Sequence, residues 1–484
     1  MRMFSLLLLL FVSAVVSPAF ARAQAEATST STRDDEHSLP AQQDVSPSAG
    51  ADTRAAVPAV QNATAAQGGE ILTLANALVK ARANNPTLRG QAAQQEATLA
   101  REDKALSSLL PTLTGNAAYG RTTSNFVQRP GYIGGTGAAP TVTYNGKLYN
   151  TFNFGVTAAV LLYDFNTTID RFRSAKETNK AYEERTRASA LSVDFSVRDS
   201  FLRARAQKAL VVVADQTVAN NQRHVDQIQA FVDAGTRPEI DLLQVRTDLA
   251  NARVALLQAQ NTYAVAKVTL QRNMGIEEDV NFEITDEQVP PLPEENHALD
   301  ELLRQAMTDR PDVTALLRDL RASALLVSAA KGGYGPSFNG TASLTKQGIH
   351  IDNLATNWQV GAQASWQLYG GGYTKADVHE ARANQHRAEA SVAELRQTVR
   401  LQVAQAQIGL QTAIAQLEAS GEALANARGR LALADGRYEA GVGNIIELGD
   451  AQIALTQAES QRIQSEYNIS LARAQLISAL GRTH

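Results

Sequence analysis

The chain repeats itself, and that constrains its architecture more than any local motif does. From Gly155 onward a second copy stands 206 residues downstream of the first, without insertion or deletion. Gly155 matches Gly361, Tyr163 matches Tyr369, Ala234-Gly235 matches Ala440-Gly441, Leu270 matches Leu476 and Gly275 matches Gly481. Upstream the offset is 225, pairing Pro86 with Pro311 and Pro111 with Pro336, so the first copy carries 19 extra residues in one loop.

Within each copy the most telling stretch is a strand. Asn357–Tyr369 reads NWQVGAQASWQLY. Trp358, Val360, Ala362, Ala364, Trp366 and Leu368 fall on one side, and Gln359, Gly361, Gln363, Ser365 and Gln367 on the other. Side chains alternate across a strand, so the segment has an apolar and a polar surface. Tryptophan near both ends suits a strand crossing lipid. The pattern predicts strands at about 113–120, 152–164, 337–345 and 357–369, one pair per copy. The loop joining the first pair, Arg121–Tyr149, is long and rich in Gly and Pro; that joining the second, Lys346–Asn357, is shorter.

Residues 1–25 carry Arg2, an apolar run from Phe4 to Val16 and small residues at Ala21, Ala23 and Ala25, the pattern of a cleavable secretory signal. Residues 26–69 hold almost no large apolar side chains and predict a disordered segment. The first repeat is assigned to 70–275, a connector with room for one short strand to 276–297, and the second repeat to 298–484. Each repeat opens with a short amphipathic helix ended by Asn85-Pro86 or Arg310-Pro311, because the residue before Pro is disfavoured in a helix. The next helices run to about Leu110 and Gly333.

Helices of about 166–232 and 375–438 follow the strands. In the second, Val403, Leu410, Leu417, Leu424, Leu431 and Tyr438 recur every seven residues, with small Ala406, Ala413, Ser420, Ala427 and Ala434 three positions on. This heptad alternation of large and small specifies close, coiled-coil packing. At 1.5 Å per residue such a helix reaches roughly 100 Å, a length suited to crossing a gap. Ala234-Gly235 and Ala440-Gly441 turn the chain into return helices at 238–275 and 444–481, although Arg462 interrupts the second seam.

Composition excludes several functions. There are no cysteines, hence no disulfides, and the net charge of −4 gives no reason to expect nucleic-acid binding. Of the seven histidines only His379 and His386 could share a helical face, too few ligands for a structural metal site. No nucleophile motif or cofactor site is present, and the Gly134–Gly137 run neither follows a buried strand nor opens a helix, so it is not a nucleotide loop. The sequence predicts no enzyme.

Four strands cannot close a membrane barrel, since known bacterial barrels start at about eight. Unpaired strand edges in lipid cost several kcal/mol per unsatisfied group. Closure must therefore come from identical chains around an axis, two giving eight strands and three giving twelve.

The duplicated helix–strand–strand–long-helix–turn–helix order, with its AGTRPEIDLL and AGVGNIIELGD turns, resembles the TolC-type outer-membrane efflux channel family over about Glu70 to Gly481. The resemblance implies a mixed α and membrane-β fold: a homotrimer whose twelve-stranded β-barrel in the Gram-negative outer membrane continues as a twelve-helix α-barrel across the periplasm. The function it implies is the exit duct of a tripartite efflux or type I secretion system, passing small toxic compounds or a secreted polypeptide. Implied partners are a periplasmic adaptor protein, an inner-membrane pump of proton-driven or ATP-driven type, and outer-membrane lipid. By the same resemblance Gly235, Thr236, Gly441 and Val442 form adaptor-docking tips. Glu447 and Asp450 match acidic residues that ring the periplasmic constriction, and Tyr438 and Asp241 match a closing hydrogen-bonded pair. Where some members place a gate arginine, this chain has Gly443. From the residues alone, Glu447 and Asp450 fit equally well as solvated acids in the first turns of a helix. The competing reading is a trimeric coiled-coil adhesin or envelope spacer, which would keep its membrane strands at the C-terminus, whereas this chain ends on a helix.

Overall fold

A computed structural model of the protein describes residues 70–123, 148–277 and 282–482. The signal at 1–25, the polar segment at 26–69 and the Gly134–Gly137 run lie outside the described residues. Each copy opens with two helices, α1 (Leu74–Asn84) and α2 (Pro86–Ser107) in the first, α5 (Leu299–Asp309) and α6 (Pro311–Gly332) in the second. Strands β2 (Thr112–Thr123) and β3 (Leu148–Tyr163) follow in one copy, β5 (Ser337–His350) and β6 (Asn353–Ser365) in the other. The long helices α3 (Thr167–Asp233) and α7 (Tyr373–Glu439) have 67 residues each. Their return helices α4 (Glu239–Met274) and α8 (Ile445–Leu480) have 36 each. Among the described residues no helix is long and apolar enough to cross a membrane.

The strands form one antiparallel sheet in the order β2-β3-β5-β6. Its register carries the alternation of single strands across all four. Leu113, Ala158, Ala342 and Val360 make one cross-strand row; Gly115, Val156, Leu344 and Trp358 make another on the same face. The intervening row is Thr114, Thr157, Ser343 and Gln359. One face of the sheet is therefore apolar and the other polar, as only this register allows, because a one-residue slip would invert a strand. Leu113, Trp358 and Val360 on the apolar face are 75%, 77% and 63% exposed.

Three expectations need correction. The strand expected over 357–369 is Asn353–Ser365, so Trp366 and Leu368 lie beyond it. Ser365 pairs with Ser337, the first residue after Pro336, and Pro has no N–H with which to extend the ladder. Trp366 instead donates its indole N–H to the Tyr334 carbonyl at 3.0 Å. The loop read at Lys346–Asn357 is largely strand, with β5 running to His350. The first copy opens with a short strand, β1 (Glu70–Leu72), which pairs in parallel with β4 (Phe282–Ile284) of the connector.

The helical part has two equivalent cores. In the first copy Ala77 and Ala81 of α1 pack with Val193, Val197 and Phe201 of α3, Leu270 of α4, and Leu72, Phe282 and Ile284 of the β1–β4 pair. In the second Leu302 and Ala306 of α5 pack with Val399, Val403 and Leu410 of α7 and Leu476 of α8. The heptad seam is buried where Ala406, Ala413, Ser420 and Ala434 allow close approach. Arg462 crosses the α7–α8 seam by donating to the Leu417 carbonyl at 2.8 Å while pairing with Glu466 at 3.1 Å.

Neighbouring helices form a ribbon. Beside the sheet α2 packs on α3, and α6 packs on both α3 and α7; at the far end α4 packs on α3, and α8 on both α3 and α7. The ribbon thus has two edges, one bearing β2, α2 and α4, the other β6 and α7.

Candidate functional site

The two helical turns come together at the end of the ribbon away from the sheet. The first stops α3 by two backbone bonds, Gly235 N–H to Val232 O at 2.9 Å and Thr236 N–H to Phe231 O at 3.0 Å. Gly235 has φ of 73°, a left-handed conformation that Gly adopts without the steric cost of a Cβ. The second turn repeats the geometry: Gly441 has φ of 76° and Val442 N–H donates to Arg437 O at 3.0 Å. Here the turn is tighter, since Gly443 N–H donates to the same carbonyl at 2.8 Å. A Cβ on Gly443 would lie 2.8 Å from the Tyr438 nitrogen. The backbone leaves no room for a side chain at 443, which is why no arginine can stand there.

Behind the turns the two hairpins share one core. Val225 and Ile228 of α3, Leu242, Val245 and Leu249 of α4, Tyr438 of α7, and Leu448 and Ala451 of α8 are buried together. His224 lines a small cavity there with Asn221, Val245, Asp248, Ile445 and Gln452. Burial lowers its pKa, which the carboxylate of Asp435 partly opposes.

The candidate gate residues are placed as follows. Asp241 and Glu447 sit in the first turns of α4 and α8, with Asp450 exposed one turn further along α8. Glu447 pairs with Arg437 across the turn at 3.5 Å. The hydrogen bond implied between Tyr438 and Asp241 is not formed. Tyr438 is 3% exposed and its hydroxyl is buried without a hydrogen-bond partner among the described residues. The Arg237 guanidinium lies over the ring instead, 4.8 Å from its centroid. Burial raises the Tyr438 pKa, Arg237 lowers it and Asp241 raises it.

Gly235, Thr236, Gly441 and Val442, the positions expected to dock an adaptor, are in the two turns, with Val442 72% exposed. Around them Ile240, Leu243 and Ile446 are also exposed, forming an apolar collar that sequence reasoning did not single out. Its signal was present, because Ile240 and Ile446 occupy the same place in both copies. Arg237 and Arg437 were missed as well. Nothing in a linear reading marks one arginine among many as lying over a buried ring. His379 and His386 are both exposed, and His386 lies 3.1 Å from the Glu389 carboxylate.

Comparison with known proteins fits this geometry. The family model described as outer membrane efflux protein matches residues 77–276 and 302–482, one block per repeat. The solvent efflux pump outer membrane protein SrpC of Pseudomonas putida is 24% identical over 406 residues, covering 82% of this chain and 83% of that protein. The outer membrane efflux protein BepC of Brucella suis is 22% identical over 421 residues, 85% of each. Among solved structures, CusC superposes with a TM-score of 0.75 at 19% identity, covering 87% of this chain and 96% of that one. The Campylobacter jejuni CmeC outer membrane channel gives 0.74 at 18% identity, covering 84% and 85%. The chain therefore has the TolC-type channel fold, resides in the Gram-negative outer membrane and serves as an exit duct for efflux: it belongs to the outer membrane efflux protein family.

Proposed function

We propose that three copies of this chain close into one duct, a twelve-stranded barrel in the membrane continued by a tunnel of helices through the periplasm. The observation that carries this reading is the sheet: a largely apolar face and a polar face, but, among the described residues, four strands and two free edges. Pairing β6 of one copy with β2 of the next satisfies the backbone groups that lipid would leave unpaired. It also brings α7 beside the next copy's α2 and α4, covering apolar side chains exposed on both edges. Leu401, Ile408 and Leu433 are exposed on α7, and Val254, Leu257, Val265 and Val268 on α4.

On this reading Trp358, Val360, Ala362 and Ala364 face lipid, while the Gln, Thr and Asn rows line a wet bore. The tips close the periplasmic end, with Glu447 and Asp450 at the neck. Three copies of two carboxylates there favour cations and hold back other solutes until the neck widens. The apolar collar of Ile240, Leu243, Val442 and Ile446 meets a periplasmic adaptor, which links the duct to an inner-membrane pump. Relatives named for solvent, toluene and antibiotic efflux favour small toxic organic compounds as cargo. The test is conductance of the purified protein in planar bilayers. Glu447→Gln with Asp450→Asn should raise conductance and lower cation preference; wild-type values for both would remove these residues from the neck.

A further inference from the structure

We infer that the two hairpins of each copy are latched at the tip by the Arg237 guanidinium lying on the Tyr438 ring, and not by the Tyr438 hydroxyl. The inference rests on the proposed neck and assigns its closing contact. Three observations converge on it. Arg237 comes from the α3–α4 turn and Tyr438 from the last turn of α7, so their 4.8 Å contact ties one hairpin to the other. The Tyr438 hydroxyl is buried without a hydrogen-bond partner among the described residues, so the residue is held by its ring. The tight second turn excludes a side chain at Gly443, leaving the facing hairpin to supply the cation.

The contact is suited to a latch that must also release. A guanidinium over an aromatic face is attracted by the ring quadrupole, more strongly the less water surrounds it. Arg237 is half-buried and Tyr438 almost wholly so, which strengthens the contact while the hairpins are together. Once they part, the guanidinium regains water, so little opposes the open state. Arg437 stands beside Tyr438 in sequence but is engaged with Glu447 within its own hairpin, and so does not bridge the two.

Single-channel recording of the full-length protein in planar bilayers tests the assignment, with native-gel assembly as the folding control. Arg237→Ala and Tyr438→Leu are expected to raise mean conductance by at least about twofold, the size of one cation–π contact. Tyr438→Phe keeps the ring and is expected to stay at the wild-type value. Arg237→Lys, which keeps the charge but loses the planar face, should fall between. If Arg237→Ala does not assemble, Arg237→Gln retains most of the stem and carries the same reading. Opening by Tyr438→Phe overturns the inference in favour of a hydroxyl bond. Wild-type conductance in the assembled Arg237 variant also overturns it. If, in addition, Tyr438→Leu and the Glu447/Asp450 pair leave conductance unchanged, the tip is not the constriction and the proposed neck fails with it.

Discussion

At the scale of single residues the duplication works as an internal control, because the same backbone is built from different side chains. Each long helix is entered through two left-handed residues. In the second copy they are Gly371 and Gly372, with φ of 63° and 86°; in the first they are Phe165 and Asn166, with 53° and 67°. Asn tolerates this region but Phe is strained in it, at a cost of order 1–3 kcal/mol. Its ring offsets the strain by packing on Tyr163 at 5.1 Å and against the bare face of Gly335, where a Cβ would collide with it. Gly335→Ala is therefore expected to destabilise the fold by about 1–3 kcal/mol, read as earlier thermal loss of the assembled protein. The equivalent strain-free site predicts that Gly371→Ala costs less, because nothing crowds it within 4 Å and only its positive φ opposes a side chain. Sequence reading could not find Phe165, since an aromatic residue beside a strand reads as more strand. The 206-residue offset onto Gly-Gly was the available hint.

Among elements, the least legible feature was how each return helix ends. The C-terminus of α4 abuts the start of α2, where a Cβ on Gly275 would lie 2.7 Å from the Asn84 oxygen. The Asn85 amide splices the two by donating to Asn273 O at 2.9 Å. At the matching place Arg310 donates to Ala479 O at 3.1 Å and also reaches Gln402 at 2.8 Å and Asp312 at 2.6 Å. The prolines marked both breaks, but not that another helix end would stack on them. Arg310→Ala leaves several partners unsatisfied and is expected to cost about 2–4 kcal/mol, with lowered yield of assembled protein as the readout. The short connector strand was expected, but β1 and its pairing with β4 were missed, because three residues are too few for a pattern. Near it Lys208 hydrogen-bonds Glu283 and holds that carboxyl below its usual range, against a smaller opposing effect of burial. A depressed carboxyl pKa gives stability that is present above the unfolded value and lost as pH falls through the folded one. Acidification below about pH 4 should therefore lower the hydrogen-exchange protection factors at residues 70–72 and 282–284. The Glu283→Gln variant should lose most of this pH dependence.

On the scale of the whole molecule, the strand pairs, long hairpins and turns were legible because their repeats are long and their periods regular. The edges of the ribbon were not, because exposure on a helix flank has no signature in a heptad that already explains the buried face. Those edges decide the account: β2 with α2 and α4 on one side, β6 with α7 on the other, each needing a neighbour. The most direct measurement is the mass of the detergent-extracted outer-membrane form by light scattering with the detergent contribution subtracted. The account predicts three times the mass of the mature chain, with no populated monomer. A stable monomer retaining its sheet, in detergent or in water, would contradict it.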